Sequence, residues 1–348
     1  MTYKARGAAV AQSEWDRVEA EREELAARAE RYADLGLGIH AELLRAGGPV
    51  PPSLTDRPII VDTDIGGDPD DAVAVVVAAL TVPELKLVVT TDEVGGERAR
   101  FARYLLDLCG RPDVAVVAGR QLREAAYFTA SGLVPDSVAS TRTDVLRMVE
   151  AVCAAGGLVR WVGMGPLSNL ADVLDVRPHL AHTLVVTQMG GAVKYRDPSR
   201  AEHNIRLDPR AARDALAVLS RPELVTSDVT FSAEIELDEQ SGLYRWFASP
   251  EAPGWAQVLR AHFDQWFARY HPGSMQHDAL TLSAALQLPF VDFYLRRIAF
   301  DSAGRMTVGD GMEVFLSRKA EYGAFMCWLE RGLTASTIRA PQSRKPPS

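Results

Sequence analysis

From Arg57 onward the chain alternates short apolar runs with longer stretches of helical spacing. Pro58 to Val61, Leu85 to Thr91, Val114 to Ala118, Leu158 to Val162 and Thr183 to Met189 are brief and rich in Val, Ile and Leu, as buried strands are. Asp71 to Leu80, Glu97 to Cys109, Thr143 to Ala155, Asn169 to Leu174 and Pro209 to Leu219 read as helices. Strands separated by single helices need crossover connections. The expected fold is therefore α/β: a doubly wound, mostly parallel but mixed open sheet with helices on both faces. Ligands of such sheets bind beyond the carboxyl ends of the strands. Past Pro253 the chain is aromatic and helical up to a helix at Asp278 to Leu286, with strand-like runs near Phe290 to Phe300 and Met312 to Leu316.

The flanks are different. Residues 13 to 46 are highly charged, and Ser13 stands three residues before Asp16 in a capping-box pattern, which predicts an N-terminal helical arm. Its apolar residues form only a broken stripe, so it reads as a solvated helix rather than a dimer contact. Gly47-Gly48-Pro49-Val50-Pro51-Pro52 ends it. The division is thus an extension at 1–56, one large domain at 57–334, and a polar, proline-rich tail at 335–348 that is expected to be disordered.

Composition narrows the partners. A net charge of -8 argues against nucleic acid, which demands a basic surface, and favours a free small-molecule substrate. No segment is apolar for long enough to span a membrane, and the N-terminus lacks a leader's apolar core. The 3 cysteines, Cys109, Cys153 and Cys327, have no ligand spacing and read as buried thiols in a reducing, cytoplasmic setting.

The first strand runs directly into Asp62, Asp64, Asp68, Asp70 and Asp71, with Gly66-Gly67 among them. One or two acids would complement the dipole of the following helix. So many carboxylates in one turn repel each other unless a cation joins them, and hard divalent cations take oxygen ligands. The glycines allow a fold tight enough for Asp64 and Asp71 to converge. A further acid appears in Gln276-His277-Asp278, again at a helix start. Met164-Gly165-Pro166-Leu167-Ser168-Asn169, Met189-Gly190-Gly191 and Ala201-Glu202-His203-Asn204 all fall where strands end.

Taken in order, these segments resemble the inosine-uridine type of nucleoside hydrolase, whose landmarks are Asp-x-Asp-x-Gly-x-Asp-Asp-Ala, Gly-Pro-Leu-Thr-Asn, Met-Gly-Gly, Ala-Glu-x-Asn and His-Asp-x-Leu. The likeness runs over roughly residues 57 to 330. It implies an N-glycosyl hydrolase acting on a nucleoside-like small molecule with Ca2+ as cofactor. Asp64, Asp71 and Asp278, with the main-chain oxygen of Met164, would bind the ion, and Asp70 would act as general base on a water held by calcium. Glu202 and Asn204 would hold sugar hydroxyls, and His277 would protonate the departing base. Trp266, Phe267 and Tyr270 either stack on that base or pack a helix face. Family members commonly form dimers or tetramers, so a homodimer or homotetramer is expected.

The chain also departs from the family. Two extra residues precede Asp70-Asp71, so Asp68 competes for the role of base. The family's diol-binding asparagine after the second strand is missing, and Asp92 or Glu93 would substitute. Arg196 stands where the family has an asparagine near the sugar 5′ position. It either pairs with Asp197 on a surface loop or faces the pocket, where it would suit a 5′-phosphorylated ribosyl substrate. Two alternatives compete: a haloacid dehalogenase-like phosphatase, and a sugar-binding relative that kept the fold and ion but lost turnover.

Overall fold

The computed structural model describes residues 54–122 and 127–335. The expected helical arm, its proline-rich end and the polar tail from 336 lie outside the described residues. The first described elements are β1 (Ile59–Thr63), α1 (Asp70–Thr81), β2 (Leu85–Thr90), α2 (Glu97–Leu108) and β3 (Ala115–Ala118). It continues through α3 (Val145–Cys153), β4 (Val159–Gly163), α4 (Ser168–Val176), β5 (Leu184–Met189), α5 (His203–Leu207) and α6 (Pro209–Val218). Then follow β6 (Glu223–Val225), α7 (Ser227–Thr230), β7 (Glu236–Asp238), α8 (Gly242–Phe247), α9 (Gly254–Arg269), β8 (Gly273–Met275) and α10 (His277–Ala285). The last elements are β9 (Val291–Phe300), β10 (Met306–Val308), β11 (Met312–Ala320) and α11 (Tyr322–Thr334).

A 9-stranded sheet has the order β10-β9-β11-β6-β5-β4-β1-β2-β3. From β3 to β11 neighbouring strands are parallel, while β9 pairs antiparallel with β11 and β10 with β9. The sheet is therefore mixed, as expected, and its antiparallel edge comes from the chain's last third. Alternation along each strand supplies two cores. Ile59 and Val61 face the layer of α1, α2, α9, α10 and α11, while Ile60, Val159 and Trp161 face α3, α4 and α6.

Helix α1 is buried from Asp70 to Ala79. Its Ala and Val residues are apolar all round, which suits a helix enclosed by others. It packs on α10 and α11, and its side chains share one core with those of β1 and β2. The smaller elements β6, β7, β8, β10, α5, α7 and α8 escaped the sequence pattern, because runs of 3 to 6 residues are too short to show a period. The cysteines also need correction: Cys109 and Cys153 are only half-buried, and Cys327 is exposed on the outer side of α11.

Candidate active site

The strand order reverses between β1 and β4, and the loops that leave these neighbours open a crevice at their carboxyl ends. The loop after β1 carries the aspartates, and the loop after β4 carries Met164 and Gly165. A Cβ at Gly165 would lie 2.5 Å from Thr91 Cγ2 and 3.0 Å from Asp64 Oδ1, so only glycine admits this approach. Gly66 turns the acidic loop with φ +99, where L side chains are strained. Its carbonyl accepts from the backbone of Thr129 and Ala130, pinning the loop after β3 alongside.

Asp70 and Asp71 occupy the first turn of α1, and Asp278 the first turn of α10. The two packed helices thus aim their positive ends at one place. The carboxylates of Asp70, Asp71 and Asp278, all buried, each offer an oxygen within 4.8 Å of the others. Burial raises all three well above the ordinary carboxylate range; repulsion from Asp68 (for Asp70), Asp64 (for Asp71) and Asp70 (for Asp278) adds to it. Asp64 stands beside the trio, raised to about 6 by burial despite the neighbouring Arg98 guanidinium. Asp68 is raised to about 8 by burial and accepts from the Ser274 hydroxyl on β8. Thr63 donates to Asp71. Such a set of hard oxygen donors, short of positive charge, fits a divalent cation. The Met164 carbonyl lies on the same cavity and accepts from Asn204 Nδ2 at 2.6 Å, which leaves one lone pair.

Beneath the acids lies Arg98, 1% exposed in the first turns of α2. Its Nε donates to Asp92 O at 2.9 Å, and its terminal nitrogens donate to the carbonyls of Asp64, Ile65 (2.9 Å) and Tyr127 (3.1 Å). One side chain therefore ties together the loops after β1, β2 and β3. Asp92 has φ 47 and its carboxylate lies 4.0 Å from Arg98. Glu93 turns away: its oxygens accept from Thr90 and from the backbone of Val94, Gly96 and Ala99 at 2.9 to 3.1 Å, capping the start of α2.

On the other side, Glu202 caps α5, accepting from the backbone of Asn204 (3.1 Å), Ile205 (3.2 Å) and Gly191 (2.9 Å). That arrangement explains why Met-Gly-Gly and Ala-Glu-x-Asn serve one site. Asn204 gives its amide nitrogen to Met164 O and, at 3.3 Å, to Met189 O. Asn169 works underneath, donating to Asp62 Oδ1 at 2.9 Å and to Thr90 O at 3.0 Å. Asp62 itself is 2% exposed and raised to about 8 by burial.

These groups surround a cavity of about 520 Å³. Asp64, Asp68, Asp70, Asp71, Met164, Glu202, Asn204, Trp266, His277, Asp278 and Arg196 all line it, whereas Asp92 and Glu93 stand behind its wall. A model of the family described as inosine-uridine preferring nucleoside hydrolase matches residues 59–338. The chain belongs to this family. The phosphatase alternative falls with that match. The pyrimidine-specific ribonucleoside hydrolase RihA of Salmonella newport is 28% identical over 278 residues, covering 72% of this chain and 86% of the relative. The purine-preferring ribonucleoside hydrolase of Gardnerella vaginalis superposes with TM-score 0.67 at 19% identity, covering 82% of this chain and 100% of the other. An inosine-uridine preferring nucleoside hydrolase of Bacillus anthracis gives TM-score 0.64 at 16% identity, with 80% and 99% covered. At these identities the structures speak for the fold.

Within this nucleoside hydrolase the cavity wall also carries aromatic and imidazole rings. Tyr127 and Tyr270, 42% and 43% exposed, meet at 5.3 Å between ring centres, and Trp266 stacks on Tyr270 at 4.9 Å. Phe267 points instead into the core, against Phe263 and Tyr244. His203 Nε2 lies 4.0 Å from Asp64 Oδ2; its place inside Ala201-Glu202-His203-Asn204 was the one available hint. His277 Nδ1 is 2.7 Å from Thr230 Oγ1, and its ring stacks on Phe231 with centres 6.5 Å apart. Burial, then the Arg196 charge, push its pKa to about 4, so the ring is neutral near neutral pH.

Proposed function

We propose that the protein hydrolyses the N-glycosidic bond of a ribonucleoside-like compound at this cavity, with a calcium ion held by Asp64, Asp71, Asp278 and the Met164 carbonyl. The observation that carries the reading is the convergence of Asp70 and Asp71 with Asp278, from the far end of the chain, on one buried point. A divalent cation held there supplies positive charge that makes a neighbouring water easier to deprotonate. Asp70 accepts the proton of the attacking water. The buried carboxylates stabilise the positive charge that grows on the sugar as the base departs. Glu202 and Asn204 hold sugar hydroxyls; the amide nitrogen of Asn204 is already committed to Met164 and Met189, which leaves its oxygen to accept from a hydroxyl. Neither Asp92 nor Glu93 lines the cavity, so neither supplies the missing diol contact. His277 offers a ring N–H to the departing base, and Trp266 and Tyr270 stack on it.

A second assignment has an observation in its favour. Because Asp70, not Asp64, shares the trio with Asp71 and Asp278, Asp70 would serve as a ligand and Asp68 as base. Metal content of Asp64→Asn and Asp70→Asn proteins separates the two: the ligand's variant loses the ion, whereas the base's variant keeps it and loses turnover. Among the described residues no helix is long and apolar enough to cross a membrane. A cytoplasmic homodimer or homotetramer completes the reading, supported by composition and by the family resemblance. Release of free base from a nucleoside panel tests the whole. Activity that a chelator abolishes and calcium restores is expected, and a sugar-binding relative without turnover would release no base under either condition.

A further inference from the structure

The mouth of the cavity is chemically opposite to its floor. Arg196 and Arg200 line it from the loop between β5 and α5. That loop is fastened: Asp228 accepts from the backbone of Val193 at 2.7 Å and of Lys194 at 2.8 Å, just ahead of Tyr195 and Arg196. The Arg196 guanidinium carbon lies 4.9 Å from the ring centre of Tyr195 and 4.8 Å from that of Phe231. Two aromatic rings thus support the planar group while its N–H donors have no carboxylate partner among the described residues.

The acid expected to neutralise Arg196 is occupied. Asp197 accepts from Ser199 N at 3.0 Å and Ser199 Oγ at 2.6 Å, and it feels Arg200 only beyond salt-bridge distance. Elsewhere surface arginines do find carboxylates, as Arg120 finds Asp172 at 3.2 Å, Arg260 finds Asp264 at 2.8 Å and Arg305 finds Asp301 at 2.7 Å. In a chain of net charge -8, two cations left without such partners at a cavity mouth are a charge pattern that an anion completes. An anion at the acidic floor would be repelled, so it has to belong to the outer end of the substrate.

We infer that the substrate carries a phosphate monoester on its ribosyl part, docked on the supported Arg196 fork with Arg200 adding charge. A planar guanidinium bonds phosphate bidentately, and two positive charges match a dianion better than they match the single charge of a carboxylate. The inference rests on the hydrolase reading for what happens next, but not for binding.

The test compares kcat/KM for ribonucleosides, their 5′-monophosphates and a nucleoside whose base bears a carboxylate, in the native protein and in Arg196→Ala and Arg196→Lys. The native protein should favour the monophosphate by about 10-fold or more. Arg196→Ala should lower the monophosphate's value at least about 10-fold more than the nucleoside's, with partial recovery in Arg196→Lys, as loss of a charge-assisted bond predicts. Preference for the unphosphorylated or the carboxylated compound, or equal losses in Arg196→Ala, overturns the inference. Calorimetric titration with ribose 5-phosphate and with ribose is independent of turnover. Tight binding of the phosphate alone, weakened in Arg196→Ala, supports the site, and equal binding of the two sugars overturns it. If no compound releases base while ribose 5-phosphate still binds through Arg196, the hydrolase reading is what fails.

Discussion

The floor and the mouth of the cavity are built by opposite means. The floor's carboxylates sit on the first turns of two packed helices and on one glycine-turned loop, and all but half-buried Asp64 and Asp68 are enclosed. The mouth is made of exposed rings and arginines on loops, with Phe231 47% exposed. Buried like charges cost stability, so the floor is a place where the fold is held against its own electrostatics. The mouth costs the fold little and is free to set which substrate enters. On the proposed reading, the chemistry shared with the family resides in the floor, and specificity in the mouth.

The most severe way to probe this contrast is Asp278→Asn. Activity should fall by roughly 10²–10³-fold, the scale of losing one preorganised electrostatic group. Thermal melting of the metal-free protein should meanwhile rise, because one of the mutually repelling buried carboxylates is gone. A lower melting temperature would show that the floor is not strained by its charge.

Arg98→Met should come next, destabilising the protein by about 3–5 kcal/mol, since it leaves the buried Asp92 carboxylate without its cation and carbonyls of three loops without their donor. Denaturant unfolding checks this. An unchanged midpoint would mean that the loops hold themselves.

At the mouth, Tyr270→Ala should raise KM roughly 3–10-fold, in line with the worth of one aromatic stack. Its melting temperature should stay near that of the parent, because the ring is exposed. A large loss of stability would erase the distinction between the two regions.

The smallest effect belongs to Glu223, at the start of β6 and outside both. Burial raises its carboxyl to about 7 from 4.5, against the opposing hydrogen bond from Thr187. A folded-state pKa above the unfolded one means that the folded protein binds more protons between those values, so this group's contribution falls as pH rises through about 4.5 to 7. Glu223→Gln should melt higher than the parent above pH 7, and the gain should vanish near pH 4.5. A gain that is constant with pH would point to packing instead of charge.

Much of the frame was legible because period and charge are local properties. Apolar runs and helical spacing located the longer parallel strands and their crossovers, and the run Asp62, Asp64, Asp68, Asp70 and Asp71 stood out as more acid than a helix dipole explains. Asp64, Asp68, Asp70, Asp71, Asp278, Met164, Glu202, Asn204 and His277 were recognisable as residues of strand ends or helix starts, Trp266 as an aromatic residue ahead of the last motif, and all of them line the cavity. Arg98 was not, since in a helix pattern one more arginine looks like a solvated one. Glu93 and Asp92 stood together in sequence, yet one caps a helix while the other lies against the buried arginine. Tyr127 and Arg200 had no periodic or compositional mark at all, and His203 had only its place inside Ala201-Glu202-His203-Asn204.

By itself the sequence determined where β1 to β5, β9 and β11 form, that the sheet is mostly parallel, and that a concentration of acid needs a counter-charge. Those conclusions depend on neighbours along the chain. Only the tertiary structure decided which acids meet, which of Trp266 and Phe267 faces the cavity, and that Arg196 lies on Phe231 instead of pairing with Asp197. Such choices depend on how helices and loops far apart in sequence pack against one sheet end, and no local pattern encodes that distance.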